Sequence, residues 1–284
     1  MYDYEFLQTY LEGQRDFSGL NLSRISLLGA NLADIILEGA NLTGASLSSA
    51  YLAAANCCRA NLTETNFHQA FLSRANLSFA KLNHSNLTNV DFTKANLKGA
   101  SLIRTNLSGA KLSGANLSGV NLREADLQGV NFCGADLRGI NLRAANLTNA
   151  NLSWANLSGA RLSGATLHGA ILTGVKLHEA YLNGVDLHGA DLAGINLSEA
   201  KLNGANLQAA NLTAANLTAT HLRSAILTWA TLRAADLSDA DLRGASLGDT
   251  EMEQSLYTEE TQFPQGFDPI AHGAYVANAK AMAA

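Results

Sequence analysis

Apolar residues recur in this chain at every fifth position, and that period decides what the chain can fold into. From Phe17 to Leu247 the fifth residue is nearly always Leu, and no insertion interrupts the 47 consecutive pentapeptides. A period of five matches neither the 3.6 residues per turn of an α-helix nor the two-residue alternation of a β-strand. The backbone must therefore turn at a short, fixed interval. The centres that are not Leu are Phe17, Cys57, Phe67, Phe92 and Phe132.

Two of the five positions are predicted to point inward. The residue two before each centre is small or β-branched, most often Ala, as at Ala40 and Ala110, and the residue between them is usually Asn or Asp. Gly recurs two residues after the centre, as at Gly39 and Gly119, where a corner needs unusual backbone angles. A coil of four pentapeptides, with 20 residues per turn, places Leu and the small residue inside. An aromatic content of only 6% fits such a narrow core.

Individual pentapeptides resemble the pentapeptide-repeat family, whose pattern is A-(D/N)-L-x-x. The segments 115–119 (ANLSG) and 135–139 (ADLRG) state that pattern directly, and the resemblance covers about residues 15 to 250. It implies an all-β fold, a right-handed quadrilateral β-helix of about 12 coils, stacked at the roughly 4.8 Å spacing of hydrogen-bonded strands. Residues 6–17 and the tail segment 263–269 (FPQGFDP) are similar to cyanobacterial members.

The N-terminal residues 1–14 lie outside the period and are predicted to form a short helical cap on the first coil. Phe6, Leu7, Tyr10 and Leu11 make one apolar face of a short helix, and Gly13 ends it. We expect this face to cover the open end of the solenoid, because exposed coil ends resemble open sheet edges.

The period fails beyond Leu247, and Met252 is the last acceptable centre. We therefore assign residues 15–252 to the β-helix and 253–284 to a C-terminal cap and irregular tail. Leu256 is one residue out of step, and both prolines of the chain follow it. Phe263 and Phe267 are expected to cover the last coil, with about the final ten residues loose.

Composition excludes few classes of protein but favours a cytoplasmic one. The net charge of −5 argues against nucleic-acid binding, which needs clustered positive charge. No signal peptide and no membrane-spanning apolar stretch is evident, so we expect no membrane association. Cys57, Cys58 and Cys133 are an odd number without metal-like spacing, which indicates reduced thiols.

A 20-residue coil stacks the side chains of successive coils in columns. No column contains a set of residues typical of a catalytic or metal site. His168 and His188 fall in one column without a third metal ligand, and His178 lies half a coil away. Glu64, His84, Arg104 and Glu124 form a charged ladder. No catalytic triad, phosphate loop or cofactor motif is found, and no concave pocket is expected on a convex rod. We therefore predict no catalytic, cofactor-binding or metal-binding residues, and no enzyme activity.

A partner-binding surface is the remaining candidate site, formed by outward aromatic and acidic residues. Two aromatic residues are adjacent in one column, two tryptophans lie on other faces, and acidic residues gather in the C-terminal third. These candidate residues are Tyr51, Phe71, Trp154, Trp229, Glu179, Glu199, Asp236 and Asp239. Ordinary surface variation would also explain each of them.

Two functions follow from the resemblance. The first is a cytoplasmic protein-interaction scaffold, in keeping with cyanobacterial members that influence heterocyst differentiation. The second is a DNA mimic that binds or protects DNA gyrase, as acidic members do. The absence of an interrupting loop counts against any specific role of either kind. We expect an unidentified protein partner, and a monomer or an end-to-end dimer.

Overall fold

The computed structural model describes residues 3–277. Within them, the residue before nearly every centre forms a parallel β-bridge with the residue 20 positions further on, as between Asn41 and Asn61. The centre donates its backbone N–H across the same gap, as from Leu22 to the Asn41 carbonyl at 2.7 Å. Because these bonds recur from Asp16 to Gln262, the chain is a β-helix solenoid with four pentapeptides per 20-residue coil.

The interior of the solenoid consists of the centres and the small residues two before them. Leu117 and Ala115 are each 1% exposed, and the same holds for nearly every pentapeptide. Burial of each Leu side chain contributes about 1.5–3 kcal/mol of transfer free energy, so the stacked centres hold the coils together. Every fifth residue therefore points into one continuous core, which explains the period of five.

The residue two after each centre adopts a left-handed backbone conformation, whether or not it is glycine. Gly139 has φ +63°, and Glu124 and Ala214 have φ +58° and +55°. Glycine recurs here because an L-residue at such an angle costs roughly 1–2 kcal/mol. This is the corner at which each pentapeptide turns.

The Asn residues that precede the centres form hydrogen bonds both within their own turn and to the neighbouring coil. The Asn76 Oδ1 accepts the Ser78 backbone N–H at 3.2 Å, and it also accepts Nδ2 of Asn96, one coil on, at 3.2 Å. Asx-turns of this kind favour the tight corner. The amide is the side chain that can both accept within its turn and donate to the neighbouring coil, which explains its recurrence.

A helix closes the N-terminal end. Helix α1 spans Asp3–Leu11, buries Phe6 and Tyr10, and places the Phe6 ring centroid 4.5 Å from that of Phe17. The Tyr10 hydroxyl donates to the Ala33 carbonyl at 2.8 Å. The prediction that Leu11 belongs to the covering face was wrong, because Leu11 is the last residue of the helix and is 82% exposed. Residues 1 and 2 of the predicted cap lie outside the described residues.

The C-terminal segment is more regular than the irregular tail that we predicted. Strand β1 (Leu256–Tyr257) pairs in parallel with strand β2 (Tyr275–Val276), and a 3-10 helix spans Ile270–His272 between them. The ladder continues past Met252, with Asp236 bridging Leu256 and Asp241 bridging Gln262. One extra residue in that last step shifts the register, so backbone pairing survives where the sequence period fails.

Aromatic rings close the C-terminal end. Phe263 and Phe267 pack against the core with ring centroids 5.6 Å apart, and Tyr257 contacts Phe263 edge to face at 5.4 Å. Residues 278–284, which include most of the segment predicted to be loose, lie outside the described residues.

The ladder opens at one place among residues 3–277. Between the coil around Leu167 and the coil around Leu187, the usual hydrogen bonds from the Leu167 and Leu172 amides to the next coil are absent. The bridges from Thr166 to Asp186 and from Ile171 to Asp191 are absent too. A cleft of about 570 Å³ separates the two coils. The side-chain hydrogen bonds between Asn residues that link other coils do not form here. Thr166 and Ile171 replace Asn in the first of the two coils, and Asp186 and Asp191 replace Asn in the second.

Candidate partner-binding surface

The aromatic pair predicted in one column is present. Tyr51 and Phe71 are bridge partners on adjacent coils, with ring centroids 6.1 Å apart at an interplanar angle of 41°. They are 45% and 47% exposed. Because both precede a centre, where Asn is usual, each ring points away from the core. The rings cover each other in part and leave a continuous apolar strip toward solvent.

A shallow groove borders Tyr51. It has a volume of about 510 Å³ and is lined by charges of both signs, among them Asp34, Arg74, Asp91 and Lys94. An aromatic strip beside mixed charges is the composition of many protein interfaces, in which an apolar centre is rimmed by polar groups.

The two tryptophans lie in separate columns, as expected, and neither joins the aromatic pair. Trp154 is 67% exposed, and Trp229 donates its indole N–H to the Asp249 carboxylate at 3.1 Å. Both occupy the left-handed corner position, with φ +61°. Each is an isolated exposed ring.

The acidic residues of the C-terminal third do not form one uniform surface. Glu179 and Glu199 are exposed neighbours on adjacent coils, whereas Asp236 is half-buried and accepts the Ser238 backbone N–H at 2.9 Å. Asp239 accepts a 2.7 Å hydrogen bond from Thr258 in the C-terminal segment. The groove beside the glutamates, of about 570 Å³, is also lined by basic side chains, Arg161 and Lys201. Positive charge therefore interrupts this acidic face.

Two exposed aromatic residues within the repeat were not predicted as candidates from the sequence. Phe79 is 53% exposed at a corner position and lies over Gly99, and Tyr181 is 38% exposed with the Lys201 ammonium 5.3 Å from its ring centroid. The available signal was an aromatic residue at a position that the repeat directs outward. Phe79 and Tyr181 both satisfy it.

The charged ladder resolves into one close cluster. Glu124 accepts hydrogen bonds from Arg104 Nε at 2.6 Å and from Arg123 Nη2 at 2.6 Å. These bonds, first from Arg104 and then from Arg123, hold the pKa of the Glu124 carboxyl below its ordinary value. Arg138 lowers the pKa of Asp136 in the same way. The ladder is a local ion-pair network on the surface.

One group of side chains has the composition of a metal site. The ligand atoms of His178, Glu179 and Glu199 lie within 4.8 Å of one another. His168 and His188 both line the cleft between the opened coils, but they belong to no cluster of three metal-ligating side chains among residues 3–277. The structure thus brings His178 together with the two stacked glutamates, a cluster that was not predicted from the sequence.

The family model for pentapeptide repeats matches most of the chain. The matched segments are residues 16–52, 40–78, 71–109, 100–139, 135–174, 180–218 and 210–249. The chain belongs to the pentapeptide-repeat family. The resemblance predicted from its sequence is thereby confirmed, and the chain is a repeat scaffold of that family.

Several solved structures of pentapeptide-repeat proteins are similar to this chain. HetL, involved in heterocyst differentiation regulation in the cyanobacterium Nostoc sp. strain PCC 7120, is 33% identical over 90% of this chain and 96% of its own, with a TM-score of 0.46. Rfr23 from the cyanobacterium Cyanothece 51142 is 27% identical over 57% and 97%, with a TM-score of 0.26. QnrB1, a plasmid-mediated fluoroquinolone resistance protein, is 19% identical over 71% and 96%, with a TM-score of 0.35.

A search of curated protein sequences finds no match. Among residues 3–277, no helix has the length and apolarity needed to cross a bilayer.

Proposed function

We propose that this chain is a non-enzymatic protein-interaction scaffold, a right-handed quadrilateral β-helix of about 12 coils whose outer columns contact a partner protein. The observation that supports it best is the exposed pair Tyr51 and Phe71, stacked across two coils. Aromatic side chains supply large contact area at low entropic cost and are enriched in the residues that dominate binding energy.

The rigidity of the solenoid strengthens this proposal. Tyr51 and Phe71 are held at a fixed spacing by the backbone bonds Leu52 N–H to Phe71 carbonyl, at 2.7 Å, and Phe71 N–H to Ala50 carbonyl, at 2.9 Å. A preorganised pair loses little freedom on binding, so more of the contact energy is available for affinity. The partner surface would carry an apolar patch with a polar rim that matches the neighbouring charges.

The test compares the proteins captured by two forms of the full chain. The wild type and a Tyr51→Asn, Phe71→Asn variant are immobilised and incubated with extract of the source organism, and retained proteins are quantified by mass spectrometry. Asn is the residue usual at this position, so the variant keeps the repeat intact. We expect a partner that the wild type retains and the double variant loses.

The matched control is Tyr181→Asn, which removes an exposed aromatic residue from another column. It should retain the partner. Equal capture by the wild type and the double variant would exclude the aromatic pair as the binding surface, and no capture above bare resin would contradict the scaffold function itself.

We propose that the protein acts in the cytoplasm of a cyanobacterium, as a monomer or an end-to-end dimer.

A second candidate function is a DNA mimic that binds or protects DNA gyrase. It is favoured by the stacked Glu179 and Glu199, which add like charges along one column. It is disfavoured by Arg161 and Lys201, which line the same groove. Gyrase supercoiling with and without a quinolone separates the two functions: protection at micromolar protein supports the mimic, and no effect excludes it.

A further inference from the structure

We propose that His178, Glu179 and Glu199 form a surface site for a divalent transition metal ion such as Zn²⁺. Their ligand atoms lie within 4.8 Å of one another, and His178 Nε2 is 3.4 Å from Glu179 Oε1. The site goes beyond the proposed function, because metal binding does not depend on whether a partner protein is recognised.

The repeat itself places the three side chains. Glu179 and Glu199 occupy the same corner position on adjacent coils, with φ +57° and +59°, and His178 precedes the first of them. The Glu179 backbone N–H donates to the Ser198 carbonyl at 3.0 Å, which keeps the two coils in register at this point. The separation of the two carboxylates is therefore set by coil stacking, and the histidine enters from the adjoining position.

A second interaction orients the imidazole. His178 Nδ1 lies 3.1 Å from the Ser198 carbonyl oxygen and 2.9 Å from the Ser198 hydroxyl. When Nδ1 carries the proton and donates it to these two Ser198 oxygens, Nε2 presents its lone pair on the side of Glu179. Metal-bound histidines are usually held in this way by a backbone carbonyl or a carboxylate on the other ring nitrogen. A lone pair with two carboxylates nearby favours the binding of a cation.

The chemistry of these ligands favours zinc and its neighbours over magnesium or calcium. Imidazole suits Zn²⁺, Ni²⁺ and Cu²⁺, whereas Mg²⁺ and Ca²⁺ prefer oxygen ligands alone. With metal–ligand bonds of about 2.0–2.2 Å, two ligands of a tetrahedral site lie roughly 3.3–3.6 Å apart. The 3.4 Å between His178 Nε2 and Glu179 Oε1 fits that spacing. The Glu199 side chain is exposed, so it can rotate to bring its carboxylate within bonding distance of the metal ion. Water would complete the coordination.

His188 provides a matched comparison within the same chain. It occupies the same position after a centre, and its Nδ1 lies 2.9 Å from the Gln208 carbonyl oxygen. The corner residues beside it are Gly189 and Ala209, which offer no carboxylate. The two histidines thus share their orientation, but only His178 has carboxylates at the neighbouring corner positions.

The test is a calorimetric titration of the full chain with ZnCl₂. Cys58→Ser and Cys133→Ser are introduced first, because the partly exposed thiols could bind zinc themselves. We expect one Zn²⁺ per chain. His178→Ala and Glu199→Gln should each weaken binding by more than tenfold, while His188→Ala leaves it unchanged. All three positions are at the surface, and circular dichroism verifies that each variant is folded.

Two further measurements distinguish this site from nonspecific binding. Ser198→Ala removes the hydroxyl beside His178 Nδ1, and loss of such a supporting group weakens metal binding by roughly tenfold. Co²⁺ bound at the site should give visible absorption bands that disappear in the His178→Ala variant. The proposal is overturned if zinc binding is undetectable at millimolar metal, or if His178→Ala and His188→Ala weaken it equally.

Discussion

The indole of Trp154 lies against Gly174, the residue 20 positions further along the chain, so closely that a side chain at Gly174 would collide with the ring. The two residues share a column of corner positions, and both have left-handed backbone angles. The glycine therefore serves the fold twice, since it relieves backbone strain and makes room for the aromatic ring.

Substitution of Gly174 should move the tryptophan. In a Trp229→Phe background, Gly174→Ala is expected to displace the indole and change its fluorescence, because the ring is exposed and free to rotate away. The control is Gly194→Ala, whose added side chain meets nothing within 4 Å. The control should lose about 1 kcal/mol of unfolding free energy, from backbone strain alone, with an unchanged spectrum. An identical spectrum in both variants would show that the ring does not rest on Gly174.

Hydrogen exchange should locate the opened ladder. The amides of Leu167, Gly169 and Leu172 lack their bonds to the next coil, and Leu167 and Leu172 are each 8% exposed. We expect them to exchange about fivefold faster than the matched amides one coil earlier, as a lost hydrogen bond of roughly 1 kcal/mol implies. Those matched amides are Leu147, Asn149 and Leu152. Equal protection, measured by NMR, would mean that the ladder is closed in solution.

The three cysteines should differ sharply in reactivity. Burial raises the pKa of the Cys57 thiol to about 12, whereas Cys58 and Cys133 are partly exposed. The thiolate is the reactive species, so a disulfide-exchange reagent at pH 8 should titrate two thiols quickly and the third after denaturation. In a Cys57→Ala variant, the native count should stay at two and the denatured count should fall to two. Three equally fast thiols in the native wild type would contradict the buried position of Cys57.

The two arginine–carboxylate clusters should titrate independently. Arg104→Ala is expected to raise the pKa of Glu124 toward its ordinary value, because Arg104 makes the larger contribution to the lowered pKa, and to leave Asp136 unchanged. Arg138→Ala should do the reverse. NMR titration of the side-chain carboxyl carbons measures both pKa values. A Glu124 pKa that does not move in the Arg104→Ala variant would contradict the 2.6 Å hydrogen bond.

The sign of the pH dependence follows from the direction of these shifts. Since the folded-state pKa of each carboxyl lies below its unfolded value, the ion pairs stabilise the fold above the unfolded pKa of about 4. That stabilisation is lost as the pH falls through the lower, folded-state pKa. Each arginine substitution should therefore reduce stability at pH 7 and have less effect at pH 2, as measured by urea unfolding.

The environment of a residue could be predicted from its position within the pentapeptide, because the repeat runs without interruption. The burial of Leu117 and Ala115, the left-handed corner at Gly139 and the contact between Tyr51 and Phe71 all follow from counting in fives and twenties. The same count fails where the sequence departs from the repeat. Between Leu256 and Gln262 the backbone absorbs one extra residue and continues to pair, which no side-chain pattern records.

The amino-acid sequence alone predicts the solenoid and whether each side chain points inward or outward. The three-dimensional structure was needed to show that Leu11 is exposed, that the ladder opens beside Leu167, and that His178 lies near Glu179 and Glu199. This is because a repeat fixes the column in which each residue lies, whereas these features depend on side-chain rotamers and on hydrogen bonds between coils. Such interactions are set by neighbours 20 residues away and by the packing at each end.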